Sequence, residues 1–125
     1  MRRVIIESPL SGDFKRNIRY ARLCMLDCLR RGEAPFASHL LYTQVWDDCD
    51  DELRAKGIKA GHEWYKGADL CAIYTDLGES DGMRKGVLAA QRAQGWVRRE
   101  RRRLPADLMA MLDARDEPKA TEGAT

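Results

Sequence analysis

The sequence has no apolar segment that approaches the roughly 20 residues needed to cross a membrane. After its basic start only three apolar residues, Val4-Ile5-Ile6, precede Glu7, whereas a secretory signal needs an apolar run of roughly 7 to 15. Basic and acidic side chains nearly balance, at 22 against 20, and nucleic-acid binding requires clustered positive charge. We therefore expect a cytoplasmic protein that binds neither membranes nor nucleic acid.

The sequence also lacks the Cys-x-x-Cys pairs that are typical of zinc sites. The two histidines, His39 and His62, stand far from any cysteine pair, and the four cysteines are Cys24, Cys28, Cys49 and Cys71. Three of these cysteines fall in apolar patterns, where a buried thiol behaves as a small hydrophobic side chain. Neither a Gly-x-Gly-x-x-Gly fingerprint nor a Walker lysine is present. We predict structural thiols, no metal and no other cofactor.

Short apolar runs alternate with helical patterns along the 125 residues, a length typical of one domain. The predicted strands are Val4–Glu7, Ala34–Phe36, Leu70–Tyr74 and Trp96–Arg98. Such alternation is typical of a parallel sheet with right-handed crossovers. We predict one α/β domain over residues 1–113, Rossmann-like or flavodoxin-like, with a mostly parallel sheet of four to five strands and helices on both faces. Residues 114–125 are polar and small, which predicts a disordered tail.

Helix boundaries follow from capping residues and glycines. Asp13 is a predicted N-cap and Gly32 ends the first helix. His39–Gln44 is a loop or short helix, a helical region begins within Asp47–Glu52, Gly57 interrupts it, and the remaining predicted helices are Ile58–Lys66, about Asp81–Gln94, and Leu104–Leu112. The arginine-rich run at residues 98–103 is typical of a solvated edge or helix face rather than a nucleic-acid patch.

Polar loops follow the predicted strands, and ligands of open α/β sheets bind beyond the carboxyl ends of the strands. The amides near Gly12 also lie at a helix N-terminus, which attracts anions. We therefore predict a nucleotide-sized pocket. Its candidate ligand-binding residues are Ser8, Pro9, Ser11, Gly12, His39, Tyr42, Asp76, Glu79, Ser80, Gly82, Met83 and Arg84. We expect Ser8, Gly12, Asp76, Glu79 and Asp81 to share one concave site.

Glu7 and Asp81 are the candidate catalytic carboxylates. An acid at the end of a buried strand is costly unless it faces water or a ligand. The alternative for Glu7 is that it caps the next helix or pairs with Arg19 or Arg22. The alternative for Asp81 is that it only stabilises a helix N-terminus. Asp76 and Glu79 could equally be solvated loop residues, and His39 a hydrogen-bonded loop residue.

Several segments together resemble a small family encoded by phages and actinobacteria in the nucleoside 2-deoxyribosyltransferase-like superfamily. The matching residues are Glu7–Asp13, Asn17, Tyr20-Ala21, Arg31–Tyr42, Gly57–Gly61, Tyr74–Gly78 and Gly82–Gly86. The resemblance covers nearly everything from Arg3 to about Arg99. It implies a nucleotide or nucleoside ligand and a homo-oligomer, a dimer or larger.

The superfamily's enzymes split or exchange the N-glycosidic bond of nucleosides with a glutamate nucleophile, which lies in a Gly-Met-Glu-Leu-Gly-like sequence after a strand. The corresponding segment here is Gly82-Met83-Arg84-Lys85-Gly86. The glutamate position falls on Arg84, or on Gly86 if the alignment slips. Neither residue can form a glycosyl ester, whereas an arginine could pair with a phosphate.

Three functions remain open from the sequence. The first is a phage or prophage protein that binds a nucleotide or ADP-ribose-like ligand in order to sense or sequester it. The second is an N-glycosidase or (deoxy)ribosyl hydrolase or transferase that uses Glu7 or Asp81 as its carboxylate. The third is an oligomeric scaffold with a vestigial pocket. The missing glutamate favours the first.

Overall fold

The sheet is central to the architecture of this chain. The computed structural model describes residues 1–45, 50–93 and 95–114, and the predicted tail lies outside them from residue 115 onward. The strands β1 (Arg3–Glu7), β2 (Ala34–Phe36), β3 (Leu70–Tyr74) and β4 (Arg98–Arg102) form one sheet in the order β2-β1-β3-β4. All neighbouring strands run parallel. The predicted α/β class and the parallel sheet are therefore confirmed, with four strands.

Helices cover both faces of the sheet, as predicted. They are α1 (Phe14–Arg30), α2 (Ser38–Leu41), α3 (Asp51–Glu63), α4 (Asp81–Arg92) and α5 (Ala106–Asp113), with a 3-10 turn at Tyr42–Gln44. One face packs against α1 and α5, through buried residues such as Tyr20, Leu23, Cys24, Leu104, Leu108 and Leu112. The other face packs against α4 and the segment after α3, through Tyr65, Met83, Ala90 and Val97. No described helix is long and apolar enough to span a membrane.

The order of the strands determines where the cleft of this fold lies. Chain order reverses between β1 and β3, since β2 lies on one side of β1 and β3 on the other. In doubly wound sheets ligands bind at this switch point, beyond the carboxyl ends of the strands. Both strands are central, their apolar residues are buried, and they are paired in parallel with each other. The loops after Glu7 and Tyr74 therefore open on the same edge of the sheet.

Local capping explains where α1 and α4 begin. The Asp13 carboxylate accepts a hydrogen bond from the Arg16 amide at 3.2 Å, so the predicted N-cap is confirmed. At the start of α4, the Ser80 hydroxyl accepts from the Met83 amide at 3.2 Å. Each bond satisfies an amide that has no partner within its own helix. Both caps lie beside the cleft, which fixes the loops that line it.

The predicted interruption at Gly57 is wrong, because α3 runs without a break from Asp51 to Glu63. Glycine costs only about 1 kcal/mol in a helix, and the Asp50 carboxylate caps this one by accepting from the Leu53 amide at 2.9 Å. Gly61 allows α3 to approach α2, since a Cβ there would lie 2.7 Å from the Ser38 side chain. The predicted start at residues 47–49 lies outside the described residues.

The fourth strand also differs from its prediction. It runs over Arg98–Arg102 instead of Trp96–Arg98, and Trp96 has a φ of 55°, which takes it out of the extended region. The strand is at the edge of the sheet, so its exposed positions carry arginines such as Arg101, whose side chain is 62% exposed. The run is largely the solvated edge that its composition indicates.

The cysteines that the structure describes agree with the prediction. Cys24, Cys28 and Cys71 are free and buried in the two cores. Cys49 lies outside the described residues.

Arg102 is the exception among the arginines of β4, because only 1% of its side chain is exposed. Its guanidinium binds Glu33 bidentately, at 2.8 Å to Oε1 and 2.7 Å to Oε2. It also donates to the Tyr74 hydroxyl at 3.3 Å, and Tyr74 donates to Asp27 of α1 at 2.7 Å. These hydrogen bonds from Arg102 lower the pKa of Glu33 from 4.5 to about 2. The pair's contribution is therefore present above about pH 4.5 and is lost as pH falls toward 2.

We predict that Arg102→Met destabilises the fold by about 3–5 kcal/mol, since it leaves the Glu33 carboxylate buried without its main partner. The neighbouring variant Arg101→Met removes an exposed ion pair with Glu79 and should cost at most about 1 kcal/mol. Urea unfolding at pH 7 measures both free energies. Equal losses in the two variants would contradict the structural role of Arg102.

Candidate functional site

A cavity of about 260 Å³ opens where the loops after β1 and β3 meet. We call it the Glu7 cavity. Among the predicted site residues, the first strand and its loop contribute Glu7, Ser8 and Ser11 to its wall. The second crossover contributes His39, and the start of α4 contributes Ser80, Gly82 and Met83. The cavity therefore gathers side chains from three segments that are far apart in the sequence.

Glu7 is the carboxyl group of this cavity. The Tyr65 hydroxyl donates to its Oε2 at 2.6 Å. The alternative expected from the sequence, an ion pair of Glu7 with Arg19 or Arg22, is therefore replaced by a hydrogen bond to a tyrosine. Burial raises the pKa of Glu7 from 4.5 to about 7, and the Tyr65 hydrogen bond opposes part of that rise. Near neutral pH the group is thus present in both protonation states, which suits a general acid, a general base or a hydrogen-bond partner for a ligand.

The Glu7 carboxyl occupies space left by a glycine of α4. A Cβ built on Gly86 would lie well inside van der Waals contact with the Glu7 carboxyl carbon and both of its oxygens. Any side chain at position 86 would therefore displace the carboxyl group from its place beside Tyr65. The position of the Glu7 carboxyl group therefore depends on glycine at position 86.

Ser8 and His39 form a second polar pair in the wall. The Ser8 hydroxyl and His39 Nε2 are 2.7 Å apart, and the tautomer of the ring decides which one donates. Burial lowers the pKa of His39 to about 4, so the imidazole is neutral at physiological pH. His39 therefore contributes a neutral donor and acceptor to the wall, not a positive charge.

A second cavity, of about 570 Å³, adjoins the first through Ser11 and Ser80, which line both. Predicted residues Pro9, Asp76 and Glu79 lie in its wall. Its charged residues are mainly acidic, since Asp13 lines it too and Arg16 is its basic residue.

Asp76 mainly holds the fold together. Its Oδ2 accepts from the Tyr20 hydroxyl at 2.7 Å and from the Leu104 amide at 2.9 Å, and 3% of its side chain is exposed. It therefore fastens the loop after β3 to α1 and to the start of α5. Glu79 is bound by Arg101, with one N–O distance of 2.9 Å. Both carboxylates are therefore engaged by partners within the fold.

Four predicted residues lie outside both of these cavities. Asp81 is 91% exposed and pairs with Arg84, which also donates to the Glu79 carbonyl at 3.1 Å. The Tyr42 hydroxyl accepts from the Trp64 indole at 2.7 Å. Gly12 takes a φ of 96° in the loop, and its neighbour Ser11 lines the cavities. The five residues expected to share one site are therefore divided: Ser8 lines the first cavity, Asp76 and Glu79 line the second, and Gly12 and Asp81 line neither.

The sequence analysis missed the side chains that α3 contributes to the wall and Lys85 of α4. Arg54, Ile58 and His62 are spaced by four residues on α3, and all three line the Glu7 cavity together with Lys85 of α4. Residues spaced by four share a face of a helix. The spacing of four could have indicated this wall from the sequence. It has that meaning only if one helix contains all three residues, and the predicted break at Gly57 separated Arg54 from the other two. Among the described residues, no group of three or more His, Cys, Asp or Glu side chains is placed to hold a metal ion.

The fold and the cleft define a Rossmann-like α/β protein with a small-molecule-sized cavity at its topological switch point. The family model described as Domain of unknown function (DUF7768) matches residues 2–100. The chain belongs to this family. No curated protein and no solved structure matches the chain.

We predict that Glu7→Gln stabilises the protein at high pH. Because the folded pKa of about 7 exceeds the ordinary 4.5, the folded state binds more protons between these values, and stability falls as pH rises from 4.5 to 7. The variant, which keeps an acceptor for Tyr65, should gain up to about 3 kcal/mol at pH 8 and nothing at pH 4. Urea unfolding across this range, with the exposed Glu52→Gln as control, measures the difference; a gain that does not vary with pH would contradict it.

We also predict that Gly86→Ala destabilises the protein although alanine favours helices. The new methyl group displaces the Glu7 carboxyl from Tyr65, while Gly82→Ala meets only ordinary contact at 3.8 Å from the Ser80 hydroxyl. In a Glu7→Ala background, Gly86→Ala should become stabilising by about 0.5–1 kcal/mol. Unfolding free energies of the four-member cycle test the contact, and additive effects would contradict it.

Proposed function

We propose that this protein binds a nucleotide or ADP-ribose-like ligand in the Glu7 cavity, in order to sense or sequester it. The observation that carries the proposal is the cavity's position at the switch point between β1 and β3, with polar side chains from separate segments of the chain in its wall. Ligands of this fold class bind at that position. The Glu7 carboxyl and the neutral Ser8–His39 pair supply hydrogen bonds of the kind that sugar hydroxyls make.

The size and chemistry of the two adjoining cavities support an elongated ligand. Small-molecule sites usually measure about 300–1,000 Å³, and the two cavities of about 260 and 570 Å³ share Ser11 and Ser80. We infer that the sugar of the ligand lies against Glu7 and that the ligand extends past these serines into the second cavity. Apolar Ile5, Leu10 and Met83 in the first wall provide the surface that excludes water around it.

The resemblance to the deoxyribosyltransferase-like superfamily points to the same ligand class. Its nucleophile position falls on Arg84 or Gly86, neither of which can attack a sugar. Arg84 is paired with Asp81 of the same helix, so its guanidinium is engaged there and not in the Glu7 cavity. Binding without cleavage is consistent with that substitution.

A second candidate function is favoured by the contact between Glu7 and Gly86. The Glu7 carboxyl fills the space into which a side chain at 86 would project. If the superfamily's glutamate position is 86, the carboxylate of Glu7 on β1 therefore occupies the place of the first side-chain atoms of that glutamate on α4. In a nucleotide N-glycosidase, ionised Glu7 would attack the anomeric carbon as the C–N bond breaks and the base leaves with the bonding electrons. The base then takes a proton, and water hydrolyses the glycosyl ester. Such activity should rise with pH through about 7, as Glu7 ionises.

One experiment separates the two functions. We predict that purified protein binds nucleoside monophosphates or ADP-ribose in calorimetric titrations, and that Glu7→Gln weakens binding by roughly tenfold because a charged hydrogen-bond partner is lost. Chromatography of the same samples follows free base, and Asp81→Asn is measured alongside to test the other predicted carboxylate.

The outcomes are distinct. Binding without base release supports the binding protein. Base release that disappears in Glu7→Gln and persists in Asp81→Asn supports the N-glycosidase. The absence of saturable binding across nucleosides, monophosphates and ADP-ribose would overturn both.

A further inference from the structure

Three basic side chains form one wall of the Glu7 cavity. Arg54 and His62 lie two turns apart on α3, and Lys85 lies on α4, near enough to His62 for its charge to act on that imidazole. The approach of these groups is electrostatically unfavourable: burial and the charge of Lys85 both lower the pKa of His62. Like charges that a protein gathers without a counterion are stabilised when a ligand supplies the opposite charge.

Among the residues that the structure describes, a neighbour of each cation is paired with a carboxylate, whereas Arg54 and Lys85 have no such partner. Lys56 on α3 lies 3.8 Å from Glu52, and Arg84 on α4 pairs with Asp81. Within the described parts of the chain, no carboxylate lies within 4.0 Å of the Arg54 guanidinium or the Lys85 ammonium. Within the described parts of both helices, a cation outside the Glu7 cavity thus has a carboxylate partner on its own helix, and the one that lines the cavity has none within 4.0 Å.

We propose that Arg54, His62 and Lys85 form an anion subsite that binds the phosphate group of the ligand, so that the cavity selects phosphorylated over unphosphorylated nucleosides. This inference rests on the proposed function and adds the ligand's charged group to it. A guanidinium, an ammonium and an imidazole N–H together offer donors to several oxygens of a phosphate dianion. Gly82, in the first turn of α4, lines the same cavity, and the positive end of that helix adds to the attraction.

The anion subsite also determines the orientation of the bound molecule in the cavity. Glu7 lies in the wall with the basic residues, and Ser11 and Ser80 lead to the second, mainly acidic cavity. A nucleoside monophosphate carries its dianion at one end and its base at the other. With its phosphate at Arg54 and Lys85 and its sugar against Glu7, the base extends away from the cations.

The test compares deoxyadenosine with its 5′-monophosphate by calorimetric titration at constant ionic strength, and follows inorganic phosphate as a separate probe by phosphorus NMR. Lys85→Gln and Arg54→Gln should each weaken monophosphate binding by roughly ten- to hundredfold, the usual weight of a charged hydrogen bond, and leave nucleoside binding unchanged. Lys56→Gln and Arg84→Gln are matched controls on the same helices. All four side chains are exposed, so circular dichroism should show folded variants.

His62 provides a readout in the unaltered protein. Inorganic phosphate bound between Arg54 and Lys85 should raise the pKa of His62 in an NMR titration, because the dianion offsets the nearby positive charge. The other titratable groups that line the cavity are Glu7 of β1 and His39 of α2. An unchanged His62 pKa at saturating phosphate would overturn the subsite.

The results also separate this inference from the function beneath it. Equal affinity for nucleoside and monophosphate, or equal losses in the paired controls, overturns the phosphate subsite and leaves nucleotide binding intact. Inorganic phosphate binding that depends on Lys85, without binding of nucleoside or monophosphate, supports the anion subsite and overturns the proposed function.

Discussion

The bidentate ion pair between Arg102 and Glu33 connects opposite edges of the sheet. Arg102 ends β4 at one edge, and Glu33 directly precedes β2 at the other. The same guanidinium reaches Tyr74, and through it the Asp27 carboxylate near the end of α1. Near its start, α1 is held by the bond between Tyr20 and Asp76. The helix that carries the loop of the candidate site is thus fixed along its length by polar groups that water does not reach.

The charged groups of the candidate site are in the opposite electrostatic situation. In the network of Arg102 every charge has a partner, and the pKa of Glu33 falls. In the Glu7 cavity burial dominates and the pKa of Glu7 rises, while Arg54 and Lys85 have no carboxylate within 4.0 Å among the described residues. Groups whose ionisation is disfavoured by their surroundings concentrate where proteins bind or react. The two clusters therefore differ in kind: the ion pairs at the end of β4 stabilise the fold, whereas the groups at the end of β1 form the candidate site.

Features that depend on local pattern could be predicted from the sequence. Val4–Ile6 of β1 and all of β3 are apolar runs buried on both faces, and the predicted bounds of β3 agree with the structure to the residue. Their order along the chain implied a cleft beyond Glu7 and Asp76. By contrast, β4 is a row of charged residues whose single buried member, Arg102, is set by a partner 69 positions away. No local pattern carries that information.

The same distinction applies within the site. Glu7, Ser8 and His39 follow strands and could be predicted from topology, but the Tyr65 bond to Glu7 joins residues 58 positions apart. The wall of Arg54, Ile58 and His62 required a continuous α3, and the propensity of Gly57 argued against it. A cost of about 1 kcal/mol for one glycine is too small to break a helix of 13 residues that is capped by Asp50.

The two edges of the sheet limit how copies of this chain could associate. β2 is only three residues long and contains Pro35, which has no amide hydrogen to donate. β4 presents arginines along its open side, and a second β4 would bring like charges together. Short, proline-containing and charged edges resist strand-to-strand aggregation. Assembly through a continuous intermolecular sheet is therefore disfavoured, and helical surfaces are the faces left for self-association.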